Sequence, residues 1–183
     1  MNAWCVNEAS RIVSFWRAAG PQRWFAKDPK FDAQFRQQYL GLHIAAARRE
    51  CDSWITAPQG ALALLLLLDQ FPRNAFRGTA HMYATDPLAR FFARKALASD
   101  YDDQVEVALR RFLYLPFAHS EKPQDQKLSV ELSCRVSAEY AQRAREHCRI
   151  IQQFGRFPHR NRLLGRRTTA GEAAFLLAGG FAG

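Results

Sequence analysis

Ala61-Leu62-Ala63-Leu64-Leu65-Leu66-Leu67-Leu68-Asp69-Gln70-Phe71-Pro72-Arg73-Asn74 decides the fold. Leu62 and Leu64 to Leu68 cover every side of a helix over 58–70. A helix that is apolar all round must be covered all round, so this one belongs in the middle of a bundle. Its eight-residue apolar run, Ala61 to Leu68, is far short of the ~20 residues a membrane-spanning helix needs. Asp69-Gln70 closes the run. A residue that precedes proline avoids helical angles, so the spacing predicts that Phe71 ends this helix.

Outward from this stretch the chain reads as helices from end to end. Asp28-Pro29 sets a capping side chain before a proline at the first helical position. Thr85-Asp86-Pro87 repeats that pattern, and Thr169 with Glu172 matches a capping box. Phe31, Phe35, Tyr39 and Leu42 form one helical stripe; Leu88, Phe91, Phe92 and Ala96 form another. The spacing predicts helices near 7–19, 29–49, 58–70, 87–98, 103–113, 124–153 and 170–178. No segment alternates with period two, so no strand is expected. No Gly- or Ser-rich linker divides the chain, which reads as one all-α domain over 1–183. Paired helices of unequal length suggest a stack of antiparallel helical hairpins.

The 183 residues (20.9 kDa) are 48% apolar and 23% charged, average values that exclude disordered and collagen-like classes. The N-terminus has no apolar core of a secretory signal, so a cytoplasmic protein with no membrane association is expected. Lys and Arg outnumber Asp and Glu by 26 to 17, a net charge of +9 that attracts anionic partners without bearing on the fold. Five arginines crowd Arg156 to Arg167. Cys5, Cys51, Cys134 and Cys148 form no C-x-x-C pair. On one helix over 124–153, Cys134 and Cys148 would stand ~21 Å apart, too far to bond, so mostly buried thiols are expected.

Three stretches concentrate chemistry. The first is Asp69-Gln70-Phe71-Pro72-Arg73-Asn74. The second is His119-Ser120-Glu121, with Gln124-Asp125-Gln126 after it. The third runs from Phe154-Gly155-Arg156-Phe157-Pro158-His159-Arg160-Asn161 to Gly165-Arg166. The first and third are near-echoes, each following an apolar helix. A proline opening a new turn leaves amide N–H groups free, and an adjacent arginine completes an anion site. Two such turns facing one another would form a clamp for phosphate or carboxylate, with Arg73, Arg160 and Arg156 as cations and Asp69, Gln70, Asn74 and Asn161 as polar partners. The plainer alternative makes them helix-terminating turns, Arg73 and Arg160 pairing carboxylates such as Asp69 or Glu121.

His119 with Glu121 supplies acid/base groups, and His159 is a second candidate. Ser120 completes a triad only on paper, because adjacent residues on a turn point apart. His119, Glu121, His147, His159 and Asp69 are allowable metal ligands, yet no H-E-x-x-H, E-x-x-H or Cys-His spacing joins them. No metal site is therefore assigned, and no cofactor is named. His147 shares a helical face with Ile150, Ile151 and Phe154 and reads as a core histidine aimed at the turn 157–161. His43 and His81 read as ordinary. Trp16, Trp24, Phe25 and Trp54 could floor a ligand pocket, although core packing is the better reading for most of them.

These motifs resemble the bacterial DUF924 family over nearly the whole chain. The resemblance is carried by Trp24-Phe25, Asp28, Phe31-Asp32, Leu66 to Asn74, Arg77-Gly78, Ala84-Thr85-Asp86, Phe112 to Pro116, His119-Ser120-Glu121, Asp125-Gln126, His147 and Phe154 to Asn161. Arg17 stands where the family tends to have another aromatic residue, and Lys122-Pro123 where a less rigid segment is usual. Neither touches the polar motifs. The resemblance implies a TPR-like all-helical fold and no established activity.

Four functions compete. The distinctive residues favour a site for an anionic small molecule, with acid/base groups beside it. A TPR-like fold suggests a protein-interaction module by analogy alone. The basic charge suggests nucleic acid, without a matching motif. A buried polar network that locks helix ends is the fourth.

Overall fold

A computed structural model describes residues 3–183, with side chains from Asn7 onward. All regular structure among the described residues is helical. The α-helices are α1 (Ala3–Ala19), α2 (Pro21–Trp24), α3 (Pro29–Ala47), α4 (Pro58–Leu65), α5 (Phe71–Ala75), α6 (Asp86–Ala98), α7 (Val107–Ala118), α8 (Pro123–Cys134), α9 (Ala138–Phe154) and α10 (Ala170–Leu177). Contacts divide the chain into two compact units, the first of residues 1–77 with 81–116, the second of 78–80 with 117–183.

In the first unit the leucine run is covered on every side. Leu62 and Leu64 to Leu68 are all buried, and α4 packs against both α1 and α6. Phe31, Phe35 and Tyr39 of α3 are buried together with Trp16, as their spacing predicts. Asp28 caps α3, accepting from the amides of Lys30 and Phe31. In the second stripe Phe92 and Ala96 are buried, whereas Phe91 turns outward beneath Arg49 and Lys95. Gly60 admits close approach, since a Cβ there would stand 2.1 Å from the Trp54 carbonyl oxygen.

The expected stop at Phe71 does not occur. The chain passes through Leu66–Gln70 as a π-helix and re-enters α geometry over α5. Pro72 gives the reason. It has no N–H, so the Leu68 carbonyl, its α-register partner, and the Leu67 carbonyl, its π-register partner, would both go unmet. Side chains take them instead. Thr85 Oγ1 donates to Leu68 O at 2.6 Å, and His43 Nδ1 donates to Leu67 O at 2.9 Å. Thr85 therefore starts α6 by position but makes no side-chain cap there; its hydroxyl is spent on the bulge.

In the second unit the single helix expected over 124–153 is two. α8 and α9 are joined by three residues, a connection short enough to make them antiparallel neighbours. Ser137 caps α9 by accepting from the Tyr140 amide. Cys134 and Cys148 thus lie on different helices, which removes the helical-separation argument. Arg145 of α9 reaches the Cys134 sulfur at 4.0 Å. Cys134 is exposed, Cys148 half-buried and Cys51 buried, against the expectation of mostly buried thiols; the Cys5 side chain lies outside the described residues. α9 ends as predicted. Gly155 adopts φ +70°, Phe157 is extended, and Pro158–Arg160 forms a 3-10 turn. Ile150, Ile151 and Phe157 form the local core, with Phe154 and Phe175 packed on it. Thr169 and Glu172 make the expected capping box at α10.

Candidate functional site

The first motif lies wholly in the first unit and is internally engaged. The Arg73 guanidinium donates to the Asp69 carbonyl at 2.7 Å and pairs with the carboxylates of Asp69 at 3.2 Å and Asp86 at 2.9 Å. Burial disfavours its charge, but Asp69 and Asp86 outweigh burial and raise its pKa. Gln70 donates to Asp69 at 2.6 Å, and Asn74 to Asp32 of α3 at 2.7 Å. Arg77 closes on the same Asp32 at 2.9 Å. These bonds tie the π-bulge and α5 to α3 and α6, as the structural-pair alternative expects. His43 and His81, read as ordinary, meet here with Nε2 atoms 3.4 Å apart.

The second and third motifs lie in the second unit, which gathers His119, Glu121, His159 and Arg160. Glu121 accepts from the Phe157 amide at 2.9 Å and pairs with Arg166 at 2.9 Å. Burial pushes its carboxyl up, and Arg166, the Phe157 amide and Arg160 together hold it below its usual range. Arg160 stacks over the Phe157 ring at 4.5 Å. His159 falls to a pKa of about 4, first through burial and then through Arg160 and His147, against the pull of Glu121. His147 also falls to about 4, through burial and then His119. It meets Phe157 edge-on at 5.4 Å, the turn its helical face indicated. The Nδ1 atoms of His147 and His159 are buried without a hydrogen-bond partner. Ser120 is no nucleophile here; its hydroxyl donates to Asp125 at 2.6 Å, and Gln126 ties off the Ala118 and Ser120 carbonyls.

Beyond this cluster the chain forms an open recess of about 570 Å³, lined by Arg156, Arg166, Arg167, Thr168, Thr169 and Ala170. Arg156 grips Glu172 at 2.6 and 2.9 Å and donates to the Arg167 carbonyl. That grip, with the Thr169 amide, lowers Glu172 to a pKa of about 2. Arg166 is met by Glu121. Arg167 has no carboxylate partner among the described residues. The capping box uses the amides of Thr169 and Glu172 and leaves those of Ala170 and Gly171 at the helix N-terminus without an intramolecular bond. Asn161 is fully buried and donates to Thr168 at 3.4 Å. Arg156 and Asn161 are among the ligand groups expected from the sequence; Arg166, although within the third stretch, Arg167 and Thr168 are not. The arginine run and the capping box were the signals for them.

A family model for bacterial proteins of unknown function, DUF924, matches residues 12–180. The chain belongs to the DUF924 family. The solved structure of a protein of unknown function, ATU0120 from Agrobacterium tumefaciens, is 52% identical to this DUF924 member. The two superpose with a TM-score of 0.90, over 92% of this chain and 96% of that one. No curated protein matches. No described helix is long and apolar enough to cross a membrane.

Proposed function

We propose that this DUF924 member binds a small anion-bearing molecule, a phosphate or carboxylate, in the arginine-lined recess at the start of α10. One observation carries the reading. Of the three arginines lining the recess, two are balanced by Glu172 and Glu121, while Arg167 is left over. It lines the recess together with Thr168, Thr169 and Ala170, and a guanidinium, a hydroxyl and a helix N-terminus together suit a charged oxygen group. The acid/base role falls to imidazoles, because Glu121 is already engaged by Arg166 and the Phe157 amide. His159, with His119 beside it electrostatically, is the proton acceptor in this reading. Arg73 serves the fold, and Arg160 shapes the imidazole cluster.

The protein-interaction alternative draws on exposed Leu177 and Phe181. The nucleic-acid alternative is weakened by the pairing of Arg156 and Arg166 within the chain. Calorimetric titration with inorganic phosphate at low ionic strength tests the proposal. Arg167→Ala is expected to weaken binding about tenfold, the equivalent of one charge-assisted hydrogen bond of ~1.5 kcal/mol. Equal affinity in both proteins overturns it.

A further inference from the structure

We propose that His43 and His81 form a two-histidine site for a divalent transition-metal ion of the zinc type, its other coordination positions filled by water or an oxygen ligand. The site lies in the first unit and is independent of the anion recess. His43 projects from α3 and is 1% exposed; His81 is exposed on the 3-10 turn Ala80–Tyr83. Their Nε2 atoms are 3.4 Å apart and their ring centroids 5.6 Å apart, so both nitrogens lie between the rings.

The protonation of His43 is fixed by its other nitrogen. A carbonyl only accepts, so the 2.9 Å contact with Leu67 O places the ring proton on Nδ1 and leaves an open lone pair on Nε2. A backbone carbonyl holding one imidazole nitrogen is how metal-ligating histidines are commonly oriented. That carbonyl is available only because Pro72 and the π-bulge release it. Aromatic neighbours hold the two rings close: His43 stacks on Phe71 at 4.8 Å, and His81 lies tilted against Phe76 at 3.9 Å.

The distance suits a chelate. Two nitrogens ~2.05 Å from zinc and 3.4 Å from each other subtend about 110° at the metal, close to tetrahedral. Without metal, His81 Nε2–H donates to His43 Nε2. Metal replaces that shared proton, which is released to solvent, and the exposed His81 ring tilts to face the ion. The Arg36 guanidinium, 4.8 Å from the Phe76 ring that His81 packs against, adds a positive charge that lowers affinity. No group of three His, Cys, Asp or Glu side chains forms here among the described residues. With two protein ligands, water or an oxygen ligand fills the remaining positions of a four-coordinate ion.

Zinc chloride titrated into the full chain at pH 7.5, in a non-chelating buffer, tests the site by calorimetry and by ring-nitrogen NMR. The expected result is one zinc per chain, a proton released on binding, and shifts confined to the rings of His43 and His81. His81→Ala, an exposed change that leaves the core intact, is expected to weaken binding at least tenfold. Unchanged affinity in His81→Ala overturns the proposal. So does the absence of binding to the unaltered chain, or zinc shifts that fall on His147 and His159 instead.

Discussion

Arg73→Ala removes a guanidinium that meets both Asp69 and Asp86. The carboxylates it leaves are 1% and 7% exposed, and Arg73 itself is 15% exposed. Removing one partner of a buried ion pair costs about 3–5 kcal/mol, and the hydrogen bond that Gln70 still gives Asp69 keeps the loss within that range. Domains of this size are stable by roughly 5–15 kcal/mol, so the variant folds but with much of its margin gone. With a urea slope of ~2 kcal/mol/M, the unfolding midpoint falls by about 2 M. Urea unfolding of both proteins at pH 7 measures this directly. A loss below ~1 kcal/mol refutes the structural role. A stable variant that no longer binds phosphate returns Arg73 to the anion site.

Other outcomes follow from single contacts. Gly60→Ala drives a methyl group into the Trp54 carbonyl and is expected to cost roughly 1–3 kcal/mol by overpacking, read as a lower melting temperature. Thr85→Val strands the Leu68 carbonyl beside Pro72. A loss of about 1–3 kcal/mol is expected, with Thr85→Ser restoring most of it. His147 and His159 have folded pKa values of about 4, against 6.5 for the free side chain. The unfolded state therefore binds more protons between these values, and stability falls as pH drops from ~6.5 to ~4, by up to about 3 kcal/mol per group. His147→Gln is expected to flatten that fall in urea midpoints. Glu172, lowered to about 2, acts in the carboxylate sense: its stabilisation is present above ~4.5 and is lost as pH falls toward 2.

The features legible in the sequence are those decided by neighbours along the chain. The Asp28 cap, the Thr169–Glu172 box and the all-round leucine helix depend on residues within a turn of one another. Gly155 ended α9 before Phe157-Pro158 was reached. Phe71-Pro72, the same dipeptide, did not end its helix. Thr85 and His43, distant in sequence, supply the hydrogen bonds that proline denies, and no local pattern reveals that. The break at Ser137 was hidden because helical periodicity resumes on both sides of it. At the site, the Arg156–Arg167 run and the capping box were both visible. Their convergence was not, since it depends on Arg156 crossing to Glu172 and Arg166 to Glu121. His43 and His81 were passed over because 38 residues separate them and only the bulge brings their rings together.

The most direct test of the anion site is a nitrogen–proton NMR titration of the full chain with inorganic phosphate at low ionic strength. Saturable shifts are expected at the backbone amides of Ala170 and Gly171 and at the Arg167 guanidinium, with the amides of Arg73 and Asn74 unmoved. Shifts centred on Arg73, or none that saturate, contradict the account.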